Sequence, residues 1–142
     1  MLDAPYEYKC WIDVDCEVLL PIKEIFLFPT DDKIALTQDV TRDDDFHVTT
    51  YPGEKKWWWA TGVNVAKGKP RILQDWASHT LQGDMRGDQE ILKIMIQLNP
   101  TYHGMIVEMP LEYQWLRLSL ERVFDNSNKK IIHWTGREGK NI

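Results

Sequence analysis

The chain has 142 residues, of which 43% are hydrophobic, and this is enough apolar material for one domain with a packed core. Its formal net charge of −5 disfavours a protein that follows the backbone of a nucleic acid, so no nucleic-acid partner is expected. No segment approaches the run of about 18 apolar residues that a membrane span needs, and no signal peptide is indicated. We therefore expect a single domain over residues 1–142 that lies in the cytoplasm.

Residues 6–20 carry apolar side chains at every even position and mostly polar ones at the odd positions. This period-two pattern predicts one extended segment, with Asp13 and Asp15 on the face opposite the core, at a strand end or in the turn leaving it. Six extended residues would separate Cys10 from Cys16 by about 20 Å, which is too far for a disulfide. We interpret both cysteines as buried thiols in a reducing compartment.

Strand-like and helical segments alternate along the rest of the chain. Strands or apolar runs are predicted at residues 34–36, 46–51, 57–66, 105–109 and 129–134. Helical spacing predicts a helix from Pro70, a second helix with Asp88 as its N-cap that ends at Asn99, and a third helix or mixed segment at 111–124. This alternation predicts an α/β or mixed α+β fold.

Asp13 and Asp15 place two carboxylates close together on one face of an extended chain. Such a pair repels itself unless a cation or a proton lies between the groups, so a divalent metal is a natural occupant. A chain with 22 acidic residues also contains chance Asp-x-Asp triplets, most of which are only the solvated edge of a strand. Segments further along the chain favour the metal interpretation.

Four segments follow one another along the chain, and they contain Asp13-Val14-Asp15 (residues 10–19), Thr61-Gly62-Val63 (residues 61–76), Asp88-Gln89 (residues 87–92), and His133 with Gly136 and Lys140 (residues 131–140). In this order they resemble segments of the GT-A glycosyltransferases, and in particular glycosyltransferase family 8. The resemblance implies an α/β fold, a GT-A-like mixed sheet with flanking helices. Only twelve residues precede Asp13, so the N-terminal nucleoside-binding half is expected to be missing, and a partner chain is one source that would supply it.

The resemblance also assigns roles to individual residues. It implies that Asp13, Asp15 and His133 hold Mn²⁺ or Mg²⁺ on the diphosphate of a nucleotide-sugar donor. Donor contacts would come from Gly62, Asp88, Gln89, Gly136 and Lys140, with Asp88 and Gln89 as the catalytic pair. The implied reaction transfers the sugar to a hydroxyl of an unknown acceptor. The chemistry is consistent, because a cation stabilises the negative charge that develops on a leaving diphosphate.

Two other interpretations remain open. His47-Val48-Thr49 and His133-Trp134-Thr135 form twin His-x-Thr triplets, which resemble those of the two-histidine phosphoesterases that act on a cyclic nucleotide or a 2′,3′-phosphodiester. That interpretation leaves Asp13, Asp15, Asp88 and Gln89 without a role. A non-catalytic interaction protein is the third interpretation, since a fold does not guarantee an activity.

Overall fold

A computed structural model describes residues 1–39, 58–82, 87–116 and 128–135. The strands of this part of the chain are β1 (Tyr8–Ile12), β2 (Cys16–Val18), β3 (Ile34–Gln38), β4 (Trp59–Lys67), β5 (Ile106–Glu108), β6 (Trp115–Leu116) and β7 (Ile131–His133). Its helices are α1 (Arg71–Gln82) and α2 (Asp88–Leu98), with 3₁₀ helices at Lys23–Leu27, Pro100–Met105 and Leu111–Tyr113. The predicted mixed α/β class is therefore confirmed.

Four strands form the large sheet, in the order β1-β4-β3-β5. Strand β4 lies between β1 and β3 and is antiparallel to both, whereas β3 and β5 run parallel. Eight of the nine residues of β4 are buried, because apolar side chains cover both faces of this sheet. This explains why the sequence of β4 is a nearly continuous apolar run.

Helices α1 and α2 cover one face of the large sheet. Of the stripes that helical spacing predicts, Ile72, Leu73 and Trp76 on α1 and Ile91, Leu92, Met95 and Ile96 on α2 are buried, whereas Ala77 on α1 is only partly buried. The opposite face packs against a second apolar cluster that includes Ile25, Tyr113 and Ile131. No helix in the described ranges is long and apolar enough to cross a membrane.

A bulge interrupts the pairing between β3 and β4. Leu36 lies opposite Asn64, but the next residue, Thr37, lies opposite Ala60, so residues 61–63 of β4 have no partner on β3. The side chain of Asn64 donates to the carbonyl of Thr61 at 3.1 Å and so satisfies one backbone group of the bulge. The bulge leaves the backbone of Gly62 and Val63 available to other parts of the chain.

The small sheet has the order β2-β7-β6, with β2 antiparallel and β6 parallel to β7. The prediction of one extended segment over residues 6–20 is wrong, because β1 and β2 belong to different sheets. Asp13 N–H donates to the carbonyl of Gly62 at 2.8 Å, and Cys16 N–H donates to the carbonyl of Asp13 at 3.0 Å, which closes a turn. Val14 projects fully into solvent at this turn.

The turn also changes the interpretation of the two cysteines. Both thiols are free, as predicted, but each is only partly buried, and the spacing of a straight strand no longer applies to them. Burial raises the pKa of Cys10 to about 11. Burial, together with the nearby carboxylates of Asp13 and Asp15, raises the pKa of Cys16 to about 12.

Candidate functional site

The turn between β1 and β2 lies against the end of β7. Cys16 pairs with His133 in the small sheet, and Trp134 N–H donates to the carbonyl of Asp15 at 2.9 Å. This pairing brings together two segments that are more than a hundred residues apart in the chain. It places the imidazole of His133 beside the carboxylates of the turn.

His133 Nε2 lies 3.1 Å from Asp15 Oδ1 and 3.7 Å from Asp13 Oδ2. Trp11 Nε1–H donates to the other oxygen of Asp13, Oδ1, at 2.7 Å, which orients that carboxylate. The histidine is largely buried, whereas both carboxylates are reached by solvent. The imidazole of His133 thus lies within 4 Å of two carboxylates, and oxygen and imidazole nitrogen atoms are donors that divalent cations accept.

Cys16 adds a sulfur to this group. Donor atoms of Asp15, Cys16 and His133 lie within 4.8 Å of one another, a grouping that does not include Asp13. The raised pKa of Cys16 keeps its thiol protonated, and Sγ points toward the carbonyl oxygen of Gly62 at 3.9 Å. Without a metal the thiol therefore stays protonated, and its sulfur lies among the same donor atoms as Asp15 and His133.

Gly62 lies directly under the ring of His133. A Cβ atom built at Gly62 would lie 2.4 Å from Cε1 and 2.5 Å from Nδ1 of that ring, and 2.9 Å from Nε2 of Gln114. No side chain fits in this space, so glycine is required by the close approach of the histidine. The sequence points to Gly62 as a donor contact, and the structure gives it this packing role in addition.

Gln114 holds the other side of the histidine. Its side chain is 1% exposed, and its Oε1 accepts hydrogen bonds from Val63 N–H at 2.9 Å and from Thr37 Oγ1–H at 3.2 Å. Its Nε2 lies 3.3 Å from His133 Nδ1. Sequence reasoning missed Gln114, because nothing in the local pattern marks a glutamine as buried.

A second group of polar side chains faces the histidine across a cavity. Gln89 Nε2–H donates to Asp39 Oδ2 at 2.7 Å, and Asp39 is 5% exposed. Asp88 is adjacent, at the start of α2, where its Oδ1 accepts from Gln89 N–H at 2.9 Å. Asp39 was also missed, although a carboxylate directly after the apolar strand β3 is a signal that could have identified it.

The prediction that Asp88 is the N-cap of α2 is wrong by one residue. Gly87 occupies the cap position, and Glu90 Oε2 accepts a hydrogen bond from Gly87 N–H at 3.1 Å. Asp88 is the first helical residue, and its carbonyl accepts from Trp76 Nε1–H of α1 at 2.9 Å. One carboxylate oxygen of Asp88 accepts from Gln89 N–H, and Asp88 lines the cavity.

The cavity has a volume of about 220 Å³. Its lining includes residues from both groups, namely Asp13, Asp39, Thr61, Gly62, Asp88, Gln89, Gln114, His133 and Thr135. A wider cleft of about 740 Å³ adjoins it and shares Asp13 and Asp88 with it. The cleft is more apolar, and its walls include the indole rings of Trp11 and Trp76.

The structure thus brings together six of the eight site residues that the resemblance assigned: Asp13, Asp15, Gly62, Asp88, Gln89 and His133. Gly136 and Lys140 lie outside the described residues, as do His47 and Thr49 of the phosphoesterase interpretation. The strand predicted at 46–51 and most of the segment at 111–124 fall outside them too.

No protein-family model and no curated protein sequence matches the chain. Solved structures do match it. The galactosyltransferase LgtC, in complex with donor and acceptor sugar analogues, matches with a TM-score of 0.58 and 14% identity, over 94% of this chain and 54% of that one. An active-site mutant of LgtC matches with a TM-score of 0.60 and 13% identity, over 94% and 55%. Mouse xyloside xylosyltransferase 1 matches with a TM-score of 0.54 and 16% identity, over 90% and 57%.

These likenesses establish the fold, which is that of the GT-A glycosyltransferases. The chain spans slightly more than half the length of the proteins that it matches.

Proposed function

We propose that the chain forms the metal- and sugar-binding part of a family-8-like glycosyltransferase that uses a nucleotide-diphosphate-sugar donor. The observation that supports this most is that Asp13 and His133, with Asp15 3.1 Å from the histidine, lie beside a cavity that Asp88 and Gln89 also line. A metal site facing a wall of hydrogen-bonding groups suits a diphosphate joined to a sugar. The proposal adds a donor class and a metal to what the likeness in fold shows.

In this proposal Asp13, Asp15 and His133 hold Mn²⁺ or Mg²⁺. When bound, the cation neutralises the charge that develops on the diphosphate as the glycosidic bond breaks. Trp11 keeps the Asp13 carboxylate turned toward the site through its 2.7 Å hydrogen bond. Gly136 and Lys140 are proposed to add backbone N–H groups and an ammonium group for the diphosphate.

The donor sugar is proposed to occupy the 220 Å³ cavity. This volume is below the roughly 300–1,000 Å³ of pockets that hold drug-sized ligands, so it suits one sugar residue and not a whole nucleotide-sugar. The carboxylates of Asp39 and Asp88 accept hydrogen bonds from sugar hydroxyls, and Gln89 orients Asp39. A site built on such hydrogen bonds rejects sugars that lack the matching hydroxyl, because its buried polar groups would be left unpaired.

The acceptor is proposed to enter through the adjoining 740 Å³ cleft. A transferase must bring an acceptor hydroxyl to the sugar while both are bound, and the cleft meets the cavity at Asp13 and Asp88. The exposed indole ring of Trp11 offers a flat apolar face, and Asn64 and Thr80 offer polar groups. The nucleoside is proposed to contact polypeptide other than these residues, with a partner chain as one source.

The proposal is tested by titrating the full chain with MnCl₂, and then with a uridine or guanosine diphosphate-sugar, while heat and melting temperature are recorded. We expect Mn²⁺ to bind and the nucleotide-sugar to bind more tightly in its presence. A folded protein that binds no Mn²⁺ would contradict the proposal and leave the non-catalytic interpretation in place.

The phosphoesterase interpretation is not favoured, because the structural neighbours are glycosyltransferases. It predicts metal-independent cleavage of a cyclic phosphodiester that is lost in His47→Ala. Under the proposed function His47 is dispensable.

A further inference from the structure

The orientation of the Gln114 amide is fixed by its surroundings. A backbone N–H can only donate, so the atom that faces Val63 N–H at 2.9 Å must be the side-chain oxygen of Gln114. Thr37 donates to the same oxygen at 3.2 Å. The NH₂ end of the amide therefore faces His133 Nδ1 at 3.3 Å.

The orientation of this amide determines where the neutral imidazole of His133 carries its proton. Because Nδ1 faces a donor, it must accept, and the proton of the neutral ring then lies on Nε2. Nε2–H in turn faces Asp15 Oδ1 at 3.1 Å, which is a suitable acceptor. The three contacts that link Val63, Gln114, His133 and Asp15 each join a donor to an acceptor.

This arrangement conflicts with the use of Nε2 as a metal ligand. A ligating nitrogen needs a free lone pair, so the proton would have to move to Nδ1, where it would face the NH₂ group of Gln114. Turning the amide over would relieve that contact, but it would bring the NH₂ group against Val63 N–H. Gln114 is only 1% exposed, so such unpaired groups would be costly.

We propose that Gln114 is a positioning residue that holds His133 in the Nε2–H form and thereby weakens its binding of a divalent cation. The effect on cation binding rests on the proposed function, whereas the position of the proton on His133 does not. In metal sites of the opposite design, a carboxylate or a carbonyl accepts from the Nδ1–H group of the ligating histidine, and changing that partner alters metal affinity by about 10- to 100-fold. Gln114 occupies the same position relative to the ring, but it donates a hydrogen bond to Nδ1 instead of accepting one from Nδ1–H.

The isosteric change Gln114→Glu tests this directly. One carboxylate oxygen still accepts from Val63 and Thr37, while the other accepts from His133 Nδ1–H, so the lone pair of Nε2 turns toward the carboxylates of the turn. We expect Gln114→Glu to bind Mn²⁺ about 10- to 100-fold more tightly than the unmodified chain. Gln97→Glu, at an exposed position on α2, adds the same charge away from the site and serves as the matched control.

The proton position is measured separately, by ¹⁵N NMR of the His133 ring in the metal-free protein at a pH where the ring is neutral. We expect the Nε2–H form in the unmodified chain. An Nδ1–H ring in the unmodified chain would overturn the proposal, and that spectrum decides even if the variant does not fold. A gain in Mn²⁺ affinity no larger than that of Gln97→Glu would also overturn it.

These outcomes are distinct from failure of the proposed function. A chain that binds no Mn²⁺ contradicts the function but still reports the proton position. A chain that binds Mn²⁺ with an Nδ1–H ring contradicts only the role of Gln114.

Discussion

The large sheet and the small sheet differ in what holds them in place. The large sheet is packed on both faces by two apolar clusters, and eight of the nine residues of its strand β4 are buried. The small sheet has strands of only two or three residues, and β2 is half exposed. The groups with metal-binding chemistry lie at or beside the small sheet, yet their geometry is set where His133 meets Gly62 and Gln114. The two sheets share the apolar cluster that contains Val63 and Ile131, and His133 lies at its edge beside the candidate site.

The largest expected effect is on the large sheet. Leu36→Ala removes a fully buried side chain, and we expect it to lower the free energy of unfolding by about 2–5 kcal/mol. The site should survive in the fraction that remains folded. Chemical denaturation measures the loss, and Leu81→Ala, on the exposed side of α1, is the control, expected within about 0.5 kcal/mol of the unmodified chain. Equal losses in the two variants would contradict the packing described for β3.

The next effect acts at the junction of the sheets. Gly62→Ala places a methyl group 2.4 Å from the His133 ring, so the ring must move. We expect a loss of about 1–3 kcal/mol in stability together with a clear loss of Mn²⁺ affinity. Gly104→Ala, whose added Cβ would meet nothing within 4 Å, is the matched control and should change neither quantity. If Gly62→Ala kept full Mn²⁺ affinity, the close approach of the ring would not matter to the site.

A third change should affect the chemistry alone. Asp15→Asn keeps an oxygen that can accept from His133 Nε2–H, so stability should change by less than about 0.5 kcal/mol. Loss of the charge should weaken Mn²⁺ binding at least about tenfold, which corresponds to about 1.4 kcal/mol. Calorimetric titration measures this, with the exposed Asp32→Asn as the charge-matched control. Equal Mn²⁺ affinity in both variants would remove Asp15 from the ligand set.

The smallest effect compares one thiol on each sheet. The pKa of Cys10 on β1 is raised to about 11 by burial, and that of Cys16 on β2 is raised to about 12 by burial and by Asp13 and Asp15. Iodoacetamide reacts with thiolates, so at pH 10 we expect both to react more slowly than a free thiol, and Cys16 more slowly than Cys10. Mass spectrometry follows the two sites. Faster reaction at Cys16 would contradict the influence of the aspartates.

The same shifts fix a pH dependence of stability. The folded chain holds these protons more tightly than the unfolded chain, whose thiols titrate near the ordinary value of 9.0. The resulting stabilisation is complete below pH 9 and is lost as the pH rises through 11 and 12.

The large sheet and its helices could be predicted from the sequence, because burial on one or both faces leaves a periodic pattern. The stripes of α1 and α2 and the apolar run of β4 are examples. The sequence places Asp13 and Asp15 at a strand end or in the turn that follows it, but the alternation of apolar residues continues through residues 13–15 and so does not show that β1 and β2 belong to different sheets. The first strand ends where Asp13 N–H donates to the carbonyl of Gly62 and where β2 begins to pair with β7.

The candidate site divides in the same way. Asp13, Asp15, Asp88 and His133 stand in motifs, so their resemblance to a family could indicate them. Gln114 and Asp39 are single polar residues whose importance comes from the places to which the fold carries them. Gln114 depends on a contact with a strand fifty-one residues away, and no local pattern records such a contact.

The bulge in β4 has a consequence for hydrogen exchange. The amide hydrogen of Val63 is protected by a side chain from another part of the molecule and not by the neighbouring strand β3. Its exchange rate therefore reports how often the hydrogen bond between Val63 N–H and Gln114 Oε1 breaks. The exchange rates of the amides around it report opening of the sheet. The exchange rate of the Val63 amide hydrogen thus reports whether Gln114 is in place beside His133, and it can be measured in the protein without any ligand.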